Sequence, residues 1–164
     1  GVLAGNTQII KDGILVTGIS DLASAAQLGT APTGNGRRQS SRRKAYSRMT
    51  NTFFERGTDK LEDMIASIKH GYMLFETDNG MEDPKNWGIQ CMVSIAREIM
   101  DGKLTGKIFS PIVLTGYVPD LLKSITMMSG DVKLAGGGFC GKGYKEWVKV
   151  SDGGPYIKAK IRLG

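Results

Sequence analysis

The sequence predicts an α+β domain that is predominantly antiparallel β-sheet with two or three short helices. Glycine is abundant, at 23 of 164 residues against 5 prolines, which favours many tight turns. Asp-Gly pairs at residues 12–13 and 101–102 separate apolar runs, a pattern typical of β-hairpins. Helical spacing of apolar residues is confined to short segments. A chain of this length is sufficient for one domain with a sizeable hydrophobic core.

The N-terminal part of the chain predicts a hairpin and then a helix. The apolar runs 8–10 and 14–17 flank the first Asp-Gly pair and are expected to be its two strands. Ser20-Asp21 offers an N-cap for a helix over Leu22 to Leu28, and Gly29 is a natural end for it.

The next segment predicts a loop, a strand and the clearest helix of the chain. Residues 30–45 are polar and basic and predict a loop, whereas partial alternation over residues 48–54 predicts a strand. Thr58 is the expected cap of a helix over Asp59 to Lys69, whose apolar side chains form one stripe. His70 would end this helix, where an imidazolium suits the negative end of the helix dipole.

The middle of the chain predicts one more strand and the best hairpin. We expect a strand over Tyr72 to Phe75, a turn from Thr77 to Trp87, and hairpin strands over Gly88 to Met100 and Leu104 to Leu114. Cys91 lies on the apolar face of the first hairpin strand and is interpreted as a core residue.

The C-terminal part predicts a second clear helix and further strands around a glycine-rich turn. The expected elements are a helix over Leu121 to Met128, an extended segment over Val132 to Ala135, a glycine-rich turn over residues 136–143, and strands over Glu146 to Val150 and Tyr156 to Leu163.

The net charge of +6 is confined to one short segment. Residues 37–48 contain six basic residues and no acidic one, while the rest of the chain contains sixteen of each sign. Such a segment is either a phosphate-binding surface or a solvated loop, and it lacks the regularly spaced aromatic residues of a base-stacking platform. A nucleic-acid-binding module therefore stays as an alternative function with weaker support.

Composition also limits the chemistry and the compartment. His70 is the only histidine, so the sequence cannot form a two-histidine metal site by itself, and a Ser-His-Asp triad would have to use that residue. No apolar run approaches the length of a membrane span, and two cysteines are too few for a disulfide scaffold. These features indicate a cytoplasmic protein with no membrane partner.

Cys140 is the residue with the most unusual surroundings. It lies within Gly-Gly-Gly-Phe-Cys-Gly-Lys-Gly, residues 136–143, where the glycines allow close backbone approach. Lys142 would favour the thiolate over the thiol. Two readings stay open from the residues alone: a reactive or metal-binding thiol, or a small buried thiol in a glycine-rich turn.

Four short strings then occur in order along the chain: Thr33-Gly34-Asn35-Gly36-Arg37-Arg38, Arg48-Met49-Thr50-Asn51-Thr52, Cys140-Gly141-Lys142 and Gly153-Gly154-Pro155. Together they resemble the C-terminal domain of the TldD/PmbA family of metallopeptidases. The second and third strings are similar to the TldD branch rather than to the PmbA (TldE) branch. The resemblance covers nearly the whole chain.

This resemblance implies a zinc-dependent peptidase acting on unfolded peptides. In TldD-like proteins a helix carries His-Glu-x-x-x-His, and a cysteine of the C-terminal region is the third zinc ligand. Cys140 matches that cysteine. The candidate substrate-binding residues are Met49, Thr50, Asn51 and Thr52.

The resemblance also implies what this chain lacks. The His-Glu-x-x-x-His motif is absent from residues 1–164, so we expect a single C-terminal domain that contains no catalytic residue. Zinc is expected in the intact protein and not in this chain alone. The implied partners are an unfolded peptide and a second subunit, in a homodimer or in a heterodimer with a PmbA/TldE-like subunit. A non-catalytic subunit-interaction domain is the other alternative function.

Overall fold

The structure is a computed structural model of the chain and describes residues 1–142 and 146–164. Within these residues the helices are α1 (Leu22–Leu28), α2 (Leu61–Ala66) and α3 (Val118–Lys123). The strands are β1 (Ile10–Lys11), β2 (Ile14–Leu15), β3 (Gly36–Arg37), β4 (Tyr46–Ser47), β5 (Asn51–Phe53), β6 (His70–Asp83), β7 (Gly88–Met100), β8 (Lys103–Phe109), β9 (Ile112–Tyr117), β10 (Met127–Met128), β11 (Lys133–Lys142), β12 (Glu146–Gly154), β13 (Ile157–Lys158) and β14 (Arg162–Leu163). The fold is α+β and dominated by antiparallel strands, as the sequence predicts.

The chain divides into two compact units. Unit 1 contains Gly1–Glu55 and Lys133–Gly154, and unit 2 contains Arg56–Val132 and Pro155–Gly164. Each unit has a sheet of its own.

Unit 2 is built on a five-stranded antiparallel sheet in which β7 is central. The strand order is β14-β9-β7-β6, and β8 also pairs with β7. The core of this unit includes Val93, Ala96 and Ile99 of β7, which are at most 1% exposed, and the buried Met64 of α2. β7 is paired on both edges, and it carries most of the buried apolar side chains of this unit.

Unit 1 contains a three-stranded sheet in the order β11-β12-β5. The pair β11–β12 is antiparallel, with a register shift between Ala135 and Gly138, and β5 joins β12 in parallel. Two short hairpins, β1–β2 and β3–β4, and the helix α1 complete the unit. Its buried side chains include Ala25, Val148, Val150 and, unusually, Arg48.

The elements with local signals agree with the predictions. Asp12 and Gly13 turn the first hairpin with φ of 51° and 78°, the left-handed values that an Asp-Gly pair tolerates. Helix α1 has the expected bounds. The carboxylate of Asp21 accepts a hydrogen bond from the Ser24 N–H at 2.7 Å, and Gly29 ends the helix with φ of 66°.

The prediction for the second helix is wrong at both ends. Helix α2 covers only Leu61–Ala66, its N-cap is Lys60, and Thr58 makes no capping bond. The Asp59 carboxylate instead accepts from the backbone N–H of Met128 at 2.8 Å. His70 does not end the helix: it is the first residue of β6 and pairs with Met100.

The turn predicted over residues 77–87 is also too long, because β6 continues to Asp83 by pairing with β7 across a register shift. The predicted return strand over residues 104–114 divides into β8 and β9. The third helix is α3 rather than residues 121–128, and Met127–Met128 forms a short strand that pairs with β13.

The glycine-rich segment is the main correction for the site. Residues 136–142 belong to β11 and are not a turn, while Gly143 lies outside the described residues. Pairing with strand β12 keeps Gly138 and Gly141 extended, while Gly136 and Gly137 lie in the register shift of the pair. Other shifts are small: β5 is shorter than the predicted strand 48–54, part of loop 30–45 forms β3, and the last predicted strand divides into β13 and β14.

None of the helices in the part of the chain that the structure describes is long and apolar enough to cross a membrane.

Candidate functional site

Cys140 lies in the body of an antiparallel pair of strands. Its partner across the pair is Val148 of β12, so the two side chains share one face of the sheet in unit 1. Val148 and the next residue on that face, Val150, are buried, and Cys140 is half-buried. The thiol therefore lies at the border of the core of unit 1 and not on an exposed turn.

A buried arginine holds the backbone at this position. Arg48 is 1% exposed. Its Nη2 donates to the carbonyl oxygen of Cys140 and, at 3.1 Å, to that of Glu146. Its Nε and Nη1 have no hydrogen-bond partner among the described residues. The guanidinium thus joins the end of β11 to the start of β12.

The backbone of Arg48 is itself fixed by the string that contains Asn35. The Arg48 N–H donates to the Asn35 carbonyl at 3.0 Å, and the Asn35 side-chain amide donates to the Arg48 carbonyl at 3.1 Å. The Thr33 hydroxyl donates to the Asn35 side-chain oxygen at 2.7 Å. These contacts connect the first three strings of the sequence in one hydrogen-bonded cluster.

A second arginine fixes the segment that precedes β5. Nη1 of Arg37 donates to the Met49 carbonyl at 2.6 Å, and Nη2 donates to the Lys149 carbonyl at 2.7 Å. One guanidinium therefore ties the candidate substrate-binding segment to β12 just before their backbones pair.

Strand β5 follows directly and contains two of the four candidate substrate-binding residues. Asn51 and Thr52 pair with Ser151 and Asp152, and the Ser151 N–H donates to the Thr50 carbonyl at 3.3 Å. Met49, Asn51 and Thr52 are exposed, and Thr50 is half-buried. The structure thus presents this segment at the surface of unit 1.

Gly153, in the fourth string, lies at a closely packed position beside β5. Gly153 pairs with Phe53 and has φ of 146°, a conformation that side chains rarely adopt. A Cβ atom at this position would also collide with the carbonyl oxygen of Lys133. Glycine is therefore required here for both its backbone conformation and its small size.

An open groove of about 340 Å³ lies beside β5 in unit 1. It is lined by Arg37, Thr50, Asn51, Gly136, Lys149, Val150 and Ser151. In the described parts of the chain, no strand pairs with the outer edge of β5.

The part of β12 that precedes its pairing with β5 has its backbone groups occupied by side chains. The side-chain oxygen of Gln39 accepts a hydrogen bond from the Trp147 N–H at 3.1 Å, and Arg37 donates one to the Lys149 carbonyl. Side chains thus take the place of a strand along this part of β12. The outer edge of β5 is therefore open to a further strand.

Several side chains of the cationic segment 37–48 make contacts inside unit 1 and are not simply solvated. Arg37 and Arg48 are committed to backbone carbonyls, and Arg43 lies 3.9 Å from the Glu146 carboxylate. Lys44 lies 5.4 Å from the centre of the Tyr46 ring. Apart from the presence of Arg37 and Arg48 in the four strings, nothing in the sequence indicates these roles.

Cys91 is not the fully buried core residue that the sequence predicts. Cys91 is half-buried like Cys140, and its Sγ lies 3.5 Å from the Asp78 carbonyl oxygen. Burial raises the pKa of the Cys91 thiol above its usual value, because desolvation disfavours the thiolate.

The donor set does not make a complete metal site. Across residues 1–142 and 146–164, no three His, Cys, Asp or Glu side chains are grouped so that they could hold a metal ion. Cys140 therefore offers one donor, whereas a zinc site in proteins requires three or four.

Comparison with known proteins defines the class. The description of one protein-family model is PmbA/TldA metallopeptidase C-terminal domain, and this model matches residues 1–162. The chain therefore belongs to that family, as the four strings suggested.

The similar proteins agree with this assignment. A zinc metalloprotease TldD homolog of Saccharolobus solfataricus is 34% identical over 165 residues, which is 100% of this chain and 36% of that protein. A metalloprotease TldD homolog of Buchnera aphidicola is 36% identical over 95% of this chain and 32% of the relative. The chain thus spans about a third of the length of these curated relatives.

Solved structures share the fold. The crystal structure of TldE from Thermococcus kodakarensis superposes with a TM-score of 0.75 at 23% identity, over 98% of this chain and 34% of that one. A candidate modulator of a DNA gyrase from Thermotoga maritima has a TM-score of 0.68 at 18% identity, over 99% and 34%.

Proposed function

We propose that this chain is the C-terminal part of a cytoplasmic zinc-dependent peptidase that acts on unfolded peptides. In this proposal Cys140 is a zinc ligand of the intact protein, and Met49, Thr50, Asn51 and Thr52 line part of the substrate cleft. The observation that supports it best is that Arg48 and Arg37 anchor these two elements in the same sheet of unit 1. The names of the relatives support the metalloprotease class.

The remaining zinc ligands come from outside this chain in our proposal, because the described residues provide a single donor. The His-Glu-x-x-x-His helix implied by the family resemblance is the expected source. The chain by itself is then an inactive domain that presents one thiol. No catalytic residue is assigned to residues 1–164.

The substrate is proposed to pair with the outer edge of β5 as an extended strand. Because the Thr50 carbonyl accepts from β12 and backbone groups alternate in direction along a strand, the N–H and C=O of Asn51 point to the outer edge. Backbone pairing of this kind recognises an unfolded chain with little dependence on its sequence.

The metal mechanism is tested with the intact protein and an unstructured peptide. We expect a chelator to stop cleavage and added zinc to restore it. Cys140→Ala should abolish cleavage and keep the fold, whereas the matched Cys91→Ala should cost stability and keep the zinc-dependent chemistry. Equal cleavage with and without the chelator would refute the metal mechanism.

The strand-pairing step is tested with a pair of proline variants. Asn51→Pro removes an N–H from the outer edge and should lower kcat/KM for the peptide by at least about fivefold with the fold intact. Thr52→Pro removes an N–H that faces β12 and should instead destabilise unit 1. An Asn51→Pro variant with unchanged kcat/KM would rule out pairing at this edge.

The assembly is proposed to include a second subunit, either another copy or a PmbA/TldE-like chain. The measurement is the mass of the intact protein in solution, alone and mixed with such a chain. A monomer under both conditions contradicts this part of the proposal.

A further inference from the structure

We propose that Arg48 is a positioning residue for the thiol of Cys140. By holding the carbonyl oxygen of Cys140, the guanidinium fixes the peptide plane that follows the Cys140 Cα atom, from which the thiol-bearing side chain projects. The purpose of that positioning rests on the proposed function, because zinc ligation is what gives the thiol its role. The contact itself is independent of any metal.

The burial of Arg48 makes this contact strong. A guanidinium is charged at every physiological pH, and an arginine that is 1% exposed must have that charge compensated inside the protein. Among the described residues, no carboxylate lies within ion-pair distance of Arg48. The carbonyl oxygens of Cys140 and Glu146 therefore provide the compensation, through charge-assisted hydrogen bonds from one nitrogen.

The segment around Cys140 needs an anchor of this kind. Glycine precedes it at residues 136–138 and follows it at 141 and 143, and glycines give a strand little resistance to bending. Across the pair, Gly141 is opposite Trp147, whose indole lies against the glycine but is itself 52% exposed. A metal ligand has to be placed to within about 0.5 Å, which such a strand does not achieve by its own stiffness.

The anchor is itself held in place. Two hydrogen bonds fix the main chain of Arg48: its N–H donates to the Asn35 carbonyl, and its carbonyl accepts from the Asn35 side-chain amide. Nε and Nη1 have no partner among the described residues, and a buried donor without a partner carries a desolvation cost. A buried charge kept under this cost indicates a specific role for the bonds that it does make.

The test compares thiol labelling in the 164-residue chain. We expect Arg48→Lys, which keeps the charge and loses the planar fork, to raise the labelling rate of Cys140 about tenfold. Cys91 should change by less than about twofold, because it belongs to the other compact unit. The matched control is Arg37→Lys, which loses the same type of carbonyl bonds in unit 1 and should change Cys140 by less than about twofold.

Three results would overturn the proposal. They are an unchanged Cys140 rate in a folded Arg48→Lys variant, an equal rise at both cysteines, and an equal effect of Arg37→Lys. If Arg48→Lys does not fold, NMR of the wild-type chain provides the test. A scalar coupling across the hydrogen bond from Arg48 Nη2 to the Cys140 carbonyl carbon is expected, and its absence contradicts the proposal.

A second readout uses the intact protein with cobalt in place of zinc. Arg48→Lys should shift or weaken the thiolate-to-cobalt charge-transfer band, and Cys140→Ser should remove it. If Cys140→Ser leaves the band unchanged, the proposed function of Cys140 fails, while the labelling experiment still decides the role of Arg48. If Arg48→Lys leaves the band unchanged while Cys140→Ser removes it, the positioning role is wrong and the ligand assignment stands.

Discussion

Nη2 of Arg37 donates to the carbonyl oxygen of Lys149 at 2.7 Å, although 112 positions separate the two residues in the sequence. Nη1 of the same guanidinium donates to the Met49 carbonyl at 2.6 Å. Backbone pairing between β5 and β12 begins only at Asn51 and Ser151, so Arg37 provides the connection just before it. The position of β5, the strand proposed to bind the substrate, therefore depends on Arg37, a side chain of the cationic segment 37–48.

Replacement of Arg37 should loosen β5. Arg37→Ala removes two bonds to backbone carbonyls from a partly exposed cation, and we expect a loss of about 2 kcal/mol in unit 1. The measurement is amide hydrogen exchange, which should accelerate in β5 and remain unchanged in unit 2. The adjacent Arg38→Ala, at an exposed position, serves as the control and should stay within about 0.5 kcal/mol of the wild type. Equal acceleration in both variants would show that Arg37 has no special role.

The accuracy of the sequence predictions depends on how local each signal is. Helix α1 was predicted with its correct bounds because Asp21 and Gly29 act on their immediate neighbours. Strand β6 and the glycine-rich part of β11 were missed because only their partners β7 and β12 keep them extended. No residue-level propensity reports the presence of a partner strand that is distant in the sequence.

The candidate site shows the same limit. Cys140 and the Met49–Thr52 segment were selected by resemblance to a family, and the sequence could not show what holds them in one sheet. The connection is made by Arg48 and Arg37, and basic residues in a polar segment normally predict solvated side chains. Burial of a cation is decided by which carbonyl oxygens the fold brings near it, and that information is not local.

The turn between β6 and β7 provides a prediction about pH. The Asp83 carboxylate accepts hydrogen bonds from the Asn86 side chain at 2.7 Å and from the backbone N–H groups of Lys85 and Asn86 at 3.0 and 3.2 Å. These bonds favour the carboxylate and lower the pKa of Asp83 below its usual value. The stabilisation is therefore present above the pKa of the unfolded chain and is lost as the pH falls through the lower pKa of the folded chain.

NMR titration of the Asp83 carboxyl checks this. We expect its midpoint in the folded chain to lie below that in the urea-unfolded chain, and Asn86→Ala to move it upward. Lys85→Ala keeps the backbone donor and should leave the midpoint nearly unchanged. A folded midpoint equal to the unfolded one would mean that the turn does not hold this carboxylate.

The thiol of Cys91 should lose its proton at a higher pH in the folded chain than in the unfolded chain. Because burial raises its pKa, its labelling by a thiolate-specific reagent should increase only at a higher pH than in the urea-unfolded chain. The Cys140→Ser variant isolates this thiol, and the unfolded chain provides the internal reference. A folded profile at or below the unfolded one would contradict the buried environment of Cys91.

The cationic segment gives a prediction about nucleic acids. If all six basic residues of 37–48 engaged phosphates, the log–log slope of affinity against salt would be about −5 for B-DNA. Arg37 and Arg48 are already bound to carbonyl oxygens inside unit 1, which leaves Arg38, Arg42, Arg43 and Lys44. The contribution of this segment to the slope of DNA binding should then be no steeper than about −4.

The experiment measures DNA binding across a salt series. Arg38→Gln with Arg42→Gln should flatten the slope by about 2, since each exposed cation contributes about one unit. A control that removes two exposed cations from unit 2, Lys85→Gln with Lys103→Gln, should leave the slope unchanged. A slope of about −5 or steeper that the unit 2 control does not flatten would point to engagement of Arg37 and Arg48, or of other cations of unit 1, and replacing Arg37 and Arg48 by Gln would distinguish the two. Absence of binding even at low salt would remove the nucleic-acid alternative, because exposed cations attract phosphate most strongly there.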